Sequence, residues 1–156
     1  MFLAALLAFL LAPQATPSVA LEKFFVGATE GSGTVAIVLS GSHGMRDHTR
    51  GQLDAQGALV LDQIVEEDGK PARKRIWRLV RLDANRISGT ISDASGAVTG
   101  EFSGSVLHLR YRLAEGPSVE QWITLQPDGR SATNRMTFHR FGFKVATVNS
   151  VLRKMR

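Results

Sequence analysis

Turn-forming residues recur along this chain at nearly even intervals, and this spacing limits its fold more than any other feature. Clusters of Gly, Asp, Asn and Pro, mostly about ten to fifteen residues apart, occur at positions 41–42, 55–57, 68–69, 83–85, 93–96, 115–117 and 126–129. Asn, Asp and Gly tolerate the positive φ that tight hairpin turns need. Evenly spaced hairpins without helical segments between them predict an antiparallel meander.

The residues between the turns alternate as strands do. From Leu107 to Leu113 every odd position is apolar and every even position is His or Arg. Such a strand has one buried and one solvated face. Gly89, Gly100 and Gly104 interrupt other strand-like stretches, and glycines inside strands usually mark bends or bulges. We therefore predict an all-β domain of about eight to ten strands that closes into a lipocalin-like barrel. A β-sandwich has the same alternation and remains the alternative.

Both ends of this domain differ from its middle. Residues 21–25 form an amphipathic helical turn that is expected to cap one mouth of the barrel. Near the C-terminus, Phe141, Phe143 and Val145 alternate like a strand, whereas Val145, Val148 and Leu152 have helical spacing. The tail is predicted to be a strand that runs into a short basic helix.

The N-terminal segment has the layout of a secretory signal peptide. Residues 1–20 carry no charged side chain, residues 2–12 are uninterruptedly apolar, and a small-x-small sequence ends at Ala20. The apolar run is shorter than the roughly 20 residues that span a bilayer. We predict a signal peptide at 1–20 and a single domain at 21–156, exported to the periplasm or cell envelope of a bacterium. Because Met1 has no Lys or Arg near it, an uncleaved signal is the alternative.

No cysteine is present, which excludes disulfides and thiolate chemistry. The sequence also lacks nucleophile-elbow, phosphate-loop, dinucleotide and zinc-helix motifs, so we expect neither an enzyme nor a cofactor. His43, Asp47 and His48 lie close in sequence, but positions 43 and 48 point to opposite sides of a strand. We therefore expect no metal site.

Basic residues concentrate in one segment, here called the basic stripe: Lys70, Arg73, Lys74, Arg75, Arg78 and Arg81. Arg110 and Arg112 mark a second basic strand, and the chain has a formal net charge of +5. An exported protein meets little nucleic acid, so we expect no nucleic-acid partner. An anionic membrane surface is the alternative to a merely solvated strand face.

Aromatic residues provide the candidate ligand site. If they point into the barrel, they fill it or line a cavity. The candidates are Trp77, Phe102, Tyr111, Trp122 and Phe138; Phe141 and Phe143 belong to the wider aromatic set. Arg78 shares a strand face with Ile76, Val80 and Leu82, so alternation predicts that it is buried. A buried arginine needs a carboxylate partner or an anionic ligand head group. An internal ion pair without a ligand is the simpler of these two readings.

Several segments together are similar to a known family. They are LEKFFVG at 21–27, EDGK at 67–70, RIWRL at 75–79, LRYRL at 109–113, NRM at 134–136 and FGFKV at 141–145. Through them the chain resembles a bacterial family of small envelope proteins called domain of unknown function thirty-eight thirty-three. Many members look like lipoproteins with a cysteine after the signal, but this chain has Leu21 there, so lipid anchoring is not implied. The resemblance implies an envelope location and supports the fold more than any activity.

Two functional hypotheses follow. The first is a periplasmic lipocalin-like barrel that binds a small hydrophobic or amphipathic, lipid-like ligand. The alternative is an envelope-maintenance protein without a ligand cavity, acting through its basic face on the membrane or on a protein partner. A co-purifying lipid would distinguish the first hypothesis, and salt-sensitive binding to liposomes would distinguish the second.

Overall fold

The computed structural model describes residues 15–156. These residues form one helix followed by ten strands. They are α1 (Pro17–Phe25), β1 (Gly27–Ile37), β2 (Gly41–Leu53), β3 (Leu59–Glu67), β4 (Arg73–Arg81), β5 (Arg86–Ile91), β6 (Val98–Ser103), β7 (Val106–Arg112), β8 (Ser118–Leu125), β9 (Ser131–Arg140) and β10 (Phe143–Lys154). No helix within 15–156 is long and apolar enough to cross a membrane.

The ten strands form a single closed barrel. Every strand pairs antiparallel with the next one along the chain, and β1 pairs with β10 to close the sheet. Closure leaves no sheet edge unpaired. The predicted antiparallel meander and lipocalin-like barrel are therefore confirmed, and the sandwich alternative is wrong.

Two glycines that interrupt the strand pattern lie where the barrel wall is crowded. A Cβ atom on Gly89 would lie 1.9 Å from the carbonyl oxygen of Arg78. On Gly100 it would lie 2.6 Å from Cγ1 of Ile87. Gly104 instead lies in the β6–β7 turn, where its positive φ of 58° favours glycine.

Helix α1 closes one end of the barrel, as the amphipathic turn at 21–25 predicted. Its apolar side chains enter the barrel core, where Leu21, Phe24 and Phe25 are buried. Lys154, at the end of β10, donates hydrogen bonds from Nζ to the carbonyls of Lys23 and Phe24 at 2.7 and 3.1 Å. These contacts satisfy carbonyls that the helix C-terminus leaves without an internal partner. The helix begins earlier than predicted, at Pro17.

The predicted signal peptide is described only in part. Residues 1–14 lie outside the described residues, and the predicted cleavage position after Ala20 falls inside α1.

The C-terminal tail is a strand, so the predicted short basic helix is wrong. Val148, Ser150 and Leu152 are buried at every second position of β10. The strand hydrogen-bonds to β9 on one side and to β1 on the other. A helix there would have left the backbone groups of both neighbours unpaired. The hydrogen bonds and burial that β10 gains by closing the barrel therefore decide its conformation, although its apolar residues also have helical spacing.

The end opposite α1, here called the mouth, has no helix over it in the described part of the chain. It is bounded by the segments 38–40, 68–72, 92–97, 113–117 and 141–142, which connect strands at that end. Asp93 and Leu113, from two of these segments, line a small cavity at this end.

Candidate functional site

Strand β4 presents Arg75, Trp77 and Leu79 to the barrel interior. The register with β3 places Trp77 opposite Leu61, and both side chains are buried. The other face of β4, with Ile76 and Arg78, is exposed. The prediction of a buried Arg78 is therefore wrong.

Arg78 lies on the outer wall and forms an ion pair there. Its Nη2 is 2.9 Å from Oδ2 of Asp54, and 44% of the side chain is exposed. The carboxylate of Asp54 also accepts backbone hydrogen bonds from Gln56 and Ala58. The hydrogen bond from the Ala58 amide is the main reason that the pKa of Asp54 is lowered.

Arg75 is the cation inside the barrel. Only 7% of the residue is exposed, and its Nε and Nη2 donate to the two carboxylate oxygens of Asp93 at 2.9 and 3.0 Å. Its guanidinium lies 5.0 Å from the ring centroid of Trp77 and 5.8 Å from that of Tyr111. Burial by itself lowers the pKa of Arg75, but the contacts with Tyr111 and Asp93 outweigh burial and the pKa is raised. The guanidinium therefore stays charged.

On the α1 side of Arg75 a set of inward-facing polar side chains, here called the polar layer, crosses the interior. It consists of Asp47, Gln63, Gln121, Asn134 and Ser150, drawn from five strands. Gln121 donates to Asn134 at 2.8 Å, and Asn134 donates to Ser150 at 3.1 Å. Because buried polar groups are costly without partners, this hydrogen bonding holds the side chains in place.

Two aromatic side chains also donate to the polar layer. The Trp77 indole N–H donates to Oε1 of Gln63 at 3.0 Å, and the Tyr111 hydroxyl donates to Oε1 of Gln121 at 3.2 Å. The rings of Trp77 and Tyr111 meet edge to face, 5.6 Å apart. The aromatic pair therefore lies between Arg75 and the polar layer.

Asp47 is the carboxyl group of the polar layer and is buried. Burial raises its pKa, although hydrogen bonds from Gln63 and Thr49 act in the opposite direction. Gly31 on the adjacent strand makes room for it, because a Cβ atom there would lie 2.2 Å from Oδ2 of Asp47. The carboxylate of Asp47 thus occupies the space that a side chain at position 31 would need, so the site requires glycine there.

The polar layer separates two small cavities. The mouth cavity, of about 70 Å³, is lined by Arg75 and Asp93 and by apolar side chains that include Met45, Met136 and Phe138. The inner cavity, of about 50 Å³, is lined mainly by leucines and by Phe25 of α1. Both are much smaller than the roughly 300–1,000 Å³ of typical small-molecule sites. The barrel interior is therefore nearly filled by its own side chains.

The structure brings together three of the six predicted site residues. Trp77, Tyr111 and Phe138 line the mouth cavity. Phe102 is partly buried near α1 at the closed end, next to Leu21.

Trp122 lies on the outer wall, like Arg78, so the prediction that it points inward is wrong. The inward positions of β8 are Val119, Gln121 and Ile123, and the alternation places the indole outside. There it stacks on the His108 ring, with centroids 4.6 Å apart.

Sequence reasoning missed Arg75, Asp93 and the polar layer. A signal for Arg75 was present, because it shares a strand face with Trp77, and a buried Trp77 requires an inward Arg75. Asp93 directly follows β5, and the β4–β5 pairing, which places Ile91 opposite Trp77, brings Asp93 opposite Arg75 on the neighbouring strand. Only the register of this hairpin could have identified it from the sequence.

The rim of the mouth holds an ionic cluster around Glu67. Its carboxylate contacts Nε2 of His43 at 2.9 Å, Nζ of Lys70 at 3.0 Å and Nη2 of Arg73 at 2.9 Å. Burial alone would raise the pKa of Glu67, but the hydrogen bonds and charges of these neighbours lower it overall. This cluster ties the β3–β4 turn to β2.

Every member of the basic stripe has a carboxylate within 4.0 Å. Besides the contacts of Arg75, Arg78 and the Glu67 cluster, Lys74 lies 3.3 Å from Asp62 and Arg81 lies 2.6 Å from Glu22. The charge of the stripe is therefore compensated locally, which weakens the hypothesis of a membrane-binding basic face.

His43 and His48 lie on opposite sides of β2. His43 contacts Glu67, whereas His48 is near Glu30 and Glu66 on the outer surface. Across residues 15–156 no three His, Asp or Glu side chains are grouped as a metal site would require.

Comparisons with known proteins give a family and a fold. A family model described as "Protein of unknown function (DUF3833)" matches residues 11–154. No curated protein matches the chain.

Two solved structures are similar to the barrel. The S-type phycobiliprotein lyase CPES from Guillardia theta superposes with a TM-score of 0.67 at 9% identity, covering 92% of this chain and 99% of the lyase chain. Rv2717c from M. tuberculosis superposes with a TM-score of 0.69 at 16% identity, covering 92% of this chain and 100% of its own. At these identities the likeness concerns the fold alone.

Proposed function

The chain belongs to the DUF3833 family of proteins of unknown function, and from its barrel we propose that it binds a small amphipathic, lipid-like ligand with an anionic head group. The observation that carries this proposal is the charged guanidinium of Arg75, held beside apolar and aromatic side chains in a cavity at the mouth. The sequence hypothesis of a fixed cation in the barrel is retained, with Arg75 in the role first given to Arg78.

A ligand carboxylate can take the place of the Asp93 carboxylate on Arg75. Asp93 is one-third exposed at the mouth, whereas the Arg75 side chain is buried. A ligand carboxylate or phosphate arriving from the mouth meets the same fork of donors that Asp93 now occupies. Displaced from Arg75, Asp93 can be solvated at low cost, because it already contacts water.

The apolar part of the ligand is assigned to the mouth cavity. Met45, Met136 and Phe138 line this cavity, and unbranched methionines repack readily around apolar groups. In its present volume the cavity holds only a few heavy atoms, so binding requires these side chains to move. Access to the inner cavity requires the polar layer to open as well.

We also propose export to the periplasm or cell envelope, on the basis of the signal-like segment at 1–20. Cleavage after Ala20 retains Leu21, Phe24 and Phe25, which fill the closed end of the barrel. N-terminal sequencing of the protein from a periplasmic fraction is expected to begin at Leu21. A chain that keeps its first residues and stays in the cytoplasm would contradict export.

Native mass spectrometry of the protein purified from its own host is the first test of ligand binding. Saturated fatty acids of increasing chain length, titrated by calorimetry, are the second. Arg75→Met keeps the side-chain volume and removes the charge, so it is expected to weaken fatty-acid binding at least 10-fold. This corresponds to the ~1.5–3 kcal/mol of a charged hydrogen bond. Arg78→Met is the matched control and should leave the affinity unchanged.

The corresponding fatty alcohols separate head-group recognition from apolar burial. The alcohols should bind more weakly than the fatty acids of the same length. Arg75→Met should leave their affinity unchanged, since they carry no charge for the guanidinium. The proposal is wrong if the folded parent protein carries no ligand from its host and binds none of these fatty acids. It is also wrong if Arg75→Met binds fatty acids as the parent does.

A further inference from the structure

Two neighbouring turns at the mouth present bulky apolar side chains to solvent. Leu39 in the β1–β2 turn is fully exposed, Phe141 in the β9–β10 turn is 95% exposed and Phe143 is 75% exposed. The turns adjoin because β1 pairs with β10, and the Val38 amide donates to the Val145 carbonyl at 3.0 Å. We call Val38, Leu39, Phe141 and Phe143 the apolar rim.

The backbone of the apolar rim is strained at two of its residues. Leu39 has a φ of 64° and Phe141 a φ of 51°, in the left-handed region. Glycine, asparagine and aspartate adopt this region at low cost, whereas bulky residues do so rarely. Neither side chain is buried, so the stability of the domain does not account for leucine and phenylalanine at these positions. Exposed bulky apolar side chains on strained backbone are typical of contact sites.

Positive charge lies beside the apolar rim, on the Phe141 side. A surface groove of about 890 Å³ beside Phe141 is lined by basic side chains that include Arg110, Arg112, His139 and Arg140. Arg110 is close to Glu120, at 3.4 Å. Within residues 15–156, Arg112, Arg140 and Lys144 form no ion pair with a carboxylate. Their charges are therefore available to an anionic partner, unlike those of the basic stripe.

We propose that the barrel docks mouth-first onto an anionic phospholipid bilayer, with the apolar rim inserted among the lipids and Arg112, Arg140 and Lys144 on the head-group phosphates. Apolar side chains at the interface combined with basic residues are the chemistry that peripheral membrane proteins use. Because the rim lies at the mouth, a barrel docked in this way has its mouth cavity facing the bilayer.

A bilayer fits the apolar rim better than a protein partner does. A stable protein interface buries about 1,200–2,000 Å² with complementary shape. The rim offers only four side chains, at two narrow turns and the start of β10, which is too little for such an interface. Lipid head groups adapt to protruding turns without a preformed complementary surface. This inference does not depend on a ligand inside the barrel, because its residues lie at the rim and outside the interior.

Sedimentation with vesicles tests the apolar rim. The full chain is mixed with vesicles of phosphatidylcholine alone or of phosphatidylcholine with phosphatidylglycerol. The double variant Leu39→Ser, Phe141→Ser is expected to bind the mixed vesicles at least about 10-fold more weakly than the parent. The control is Leu82→Ser, which removes an exposed leucine near the closed end and should bind as the parent does. Neither change touches a buried side chain, so both proteins should fold.

A second pair of variants tests the charges. The double variant Arg112→Gln, Arg140→Gln should lose most of its preference for phosphatidylglycerol and most of its sensitivity to salt. Lys74→Gln, in the paired basic stripe, is the control and should change neither.

Three results would overturn the proposal. One is that the parent protein binds neither kind of vesicle. Another is vesicle binding that survives the rim variant but falls with Lys74→Gln, which would assign the membrane to the basic stripe. The third is a parent that self-associates in sedimentation velocity through the rim residues without binding vesicles, which would assign the rim to a second copy of the chain.

Discussion

Arg75 and Arg78 lie on opposite faces of the same strand, and the surroundings of each face determine the role of its arginine. Arg75 is buried against the rings of Trp77 and Tyr111 and is held by a fork of hydrogen bonds to Asp93. Arg78 meets Asp54 on the outer wall, where water screens the pair. The same residue type is therefore part of the site at one position and part of the solvated surface at the other.

This difference predicts unequal effects on stability. Arg75→Met should lower the free energy of unfolding by about 1–3 kcal/mol, because it removes a charged hydrogen-bond donor. The loss stays below that of a fully buried broken pair, since Asp93 is exposed enough to be solvated. Arg78→Met should cost at most about 1 kcal/mol, as for other surface pairs. Urea unfolding of both variants checks this, and equal effects would contradict the assignment of Arg75 to the interior.

Trp77 is the largest side chain at the centre of the site. Trp77→Ala should cost ~3–5 kcal/mol, the usual cost of deleting a buried large aromatic. It would also leave Gln63 without its hydrogen-bond donor. Trp122→Ala, on the outer wall, should cost clearly less. Thermal unfolding that ranks these variants in the reverse order would show that the register of β4 is wrong.

Asp47 should make stability depend on pH. Burial raises its pKa in the folded state, so between the unfolded and the folded pKa the native protein binds more protons than the unfolded chain. The free energy of unfolding should therefore fall as pH rises through that window. Asp47→Asn removes this contribution and should gain stability relative to the parent on going from acid to neutral pH. Asp62→Asn on the surface is the control, and an identical pH profile for parent and Asp47→Asn would refute the argument.

At the scale of elements, α1 shows how a short helix becomes stable. Nine residues are too few for an isolated helix in water. The helix is held because its apolar face completes the barrel core and because Lys154 and Arg81 contact it from the wall. Local sequence supplies the amphipathic pattern, and the barrel supplies the surface that stabilises it.

Removing the main side chain of this contact should loosen the closed end. Phe24→Ala is expected to cost ~3–5 kcal/mol, because Phe24 is almost completely buried. Lys23→Ala is the matched control, since this side chain is exposed and the backbone carbonyl that accepts from Lys154 is kept. Hydrogen exchange should show the amides of α1 losing protection first in Phe24→Ala. Unchanged protection would mean that α1 contributes little to the fold.

For the whole molecule, the pairing of β1 with β10 is the contact that turns a meander into a barrel. It joins residues near the two ends of the described chain, such as Thr29 and Lys154. Closing a loop of this length costs chain entropy, which the pairing of the two strands must offset. The barrel is therefore complete only when its last strand is in place.

Truncation tests this dependence. A chain that ends at Thr147 lacks Val148, Ser150 and Leu152, so most of β1 and β9 lose their partner on the side that β10 occupied. It should aggregate, because exposed strand edges pair with other chains. Removal of Arg156 alone should leave a monodisperse protein. A truncated chain that elutes as a folded monomer in size-exclusion chromatography would show that closure is dispensable.

The sequence by itself determined the features that depend on neighbouring residues. Turn residues at short range predicted the hairpins, alternation from Leu107 to Leu113 predicted an inner and an outer face, and the apolar pattern at 21–25 predicted the helix that caps the barrel. Each of these follows from local backbone preference and side-chain periodicity, so one chain segment contains the whole signal.

Only the tertiary structure decided which side chains meet. The face of β4 that turns inward depends on its register with β3, and the polar layer joins side chains from strands far apart in sequence. The tail became a strand because β1 and β9 both needed a partner, despite its helical spacing. In each case the deciding energy lies in pairing and burial between distant segments, which no local pattern contains.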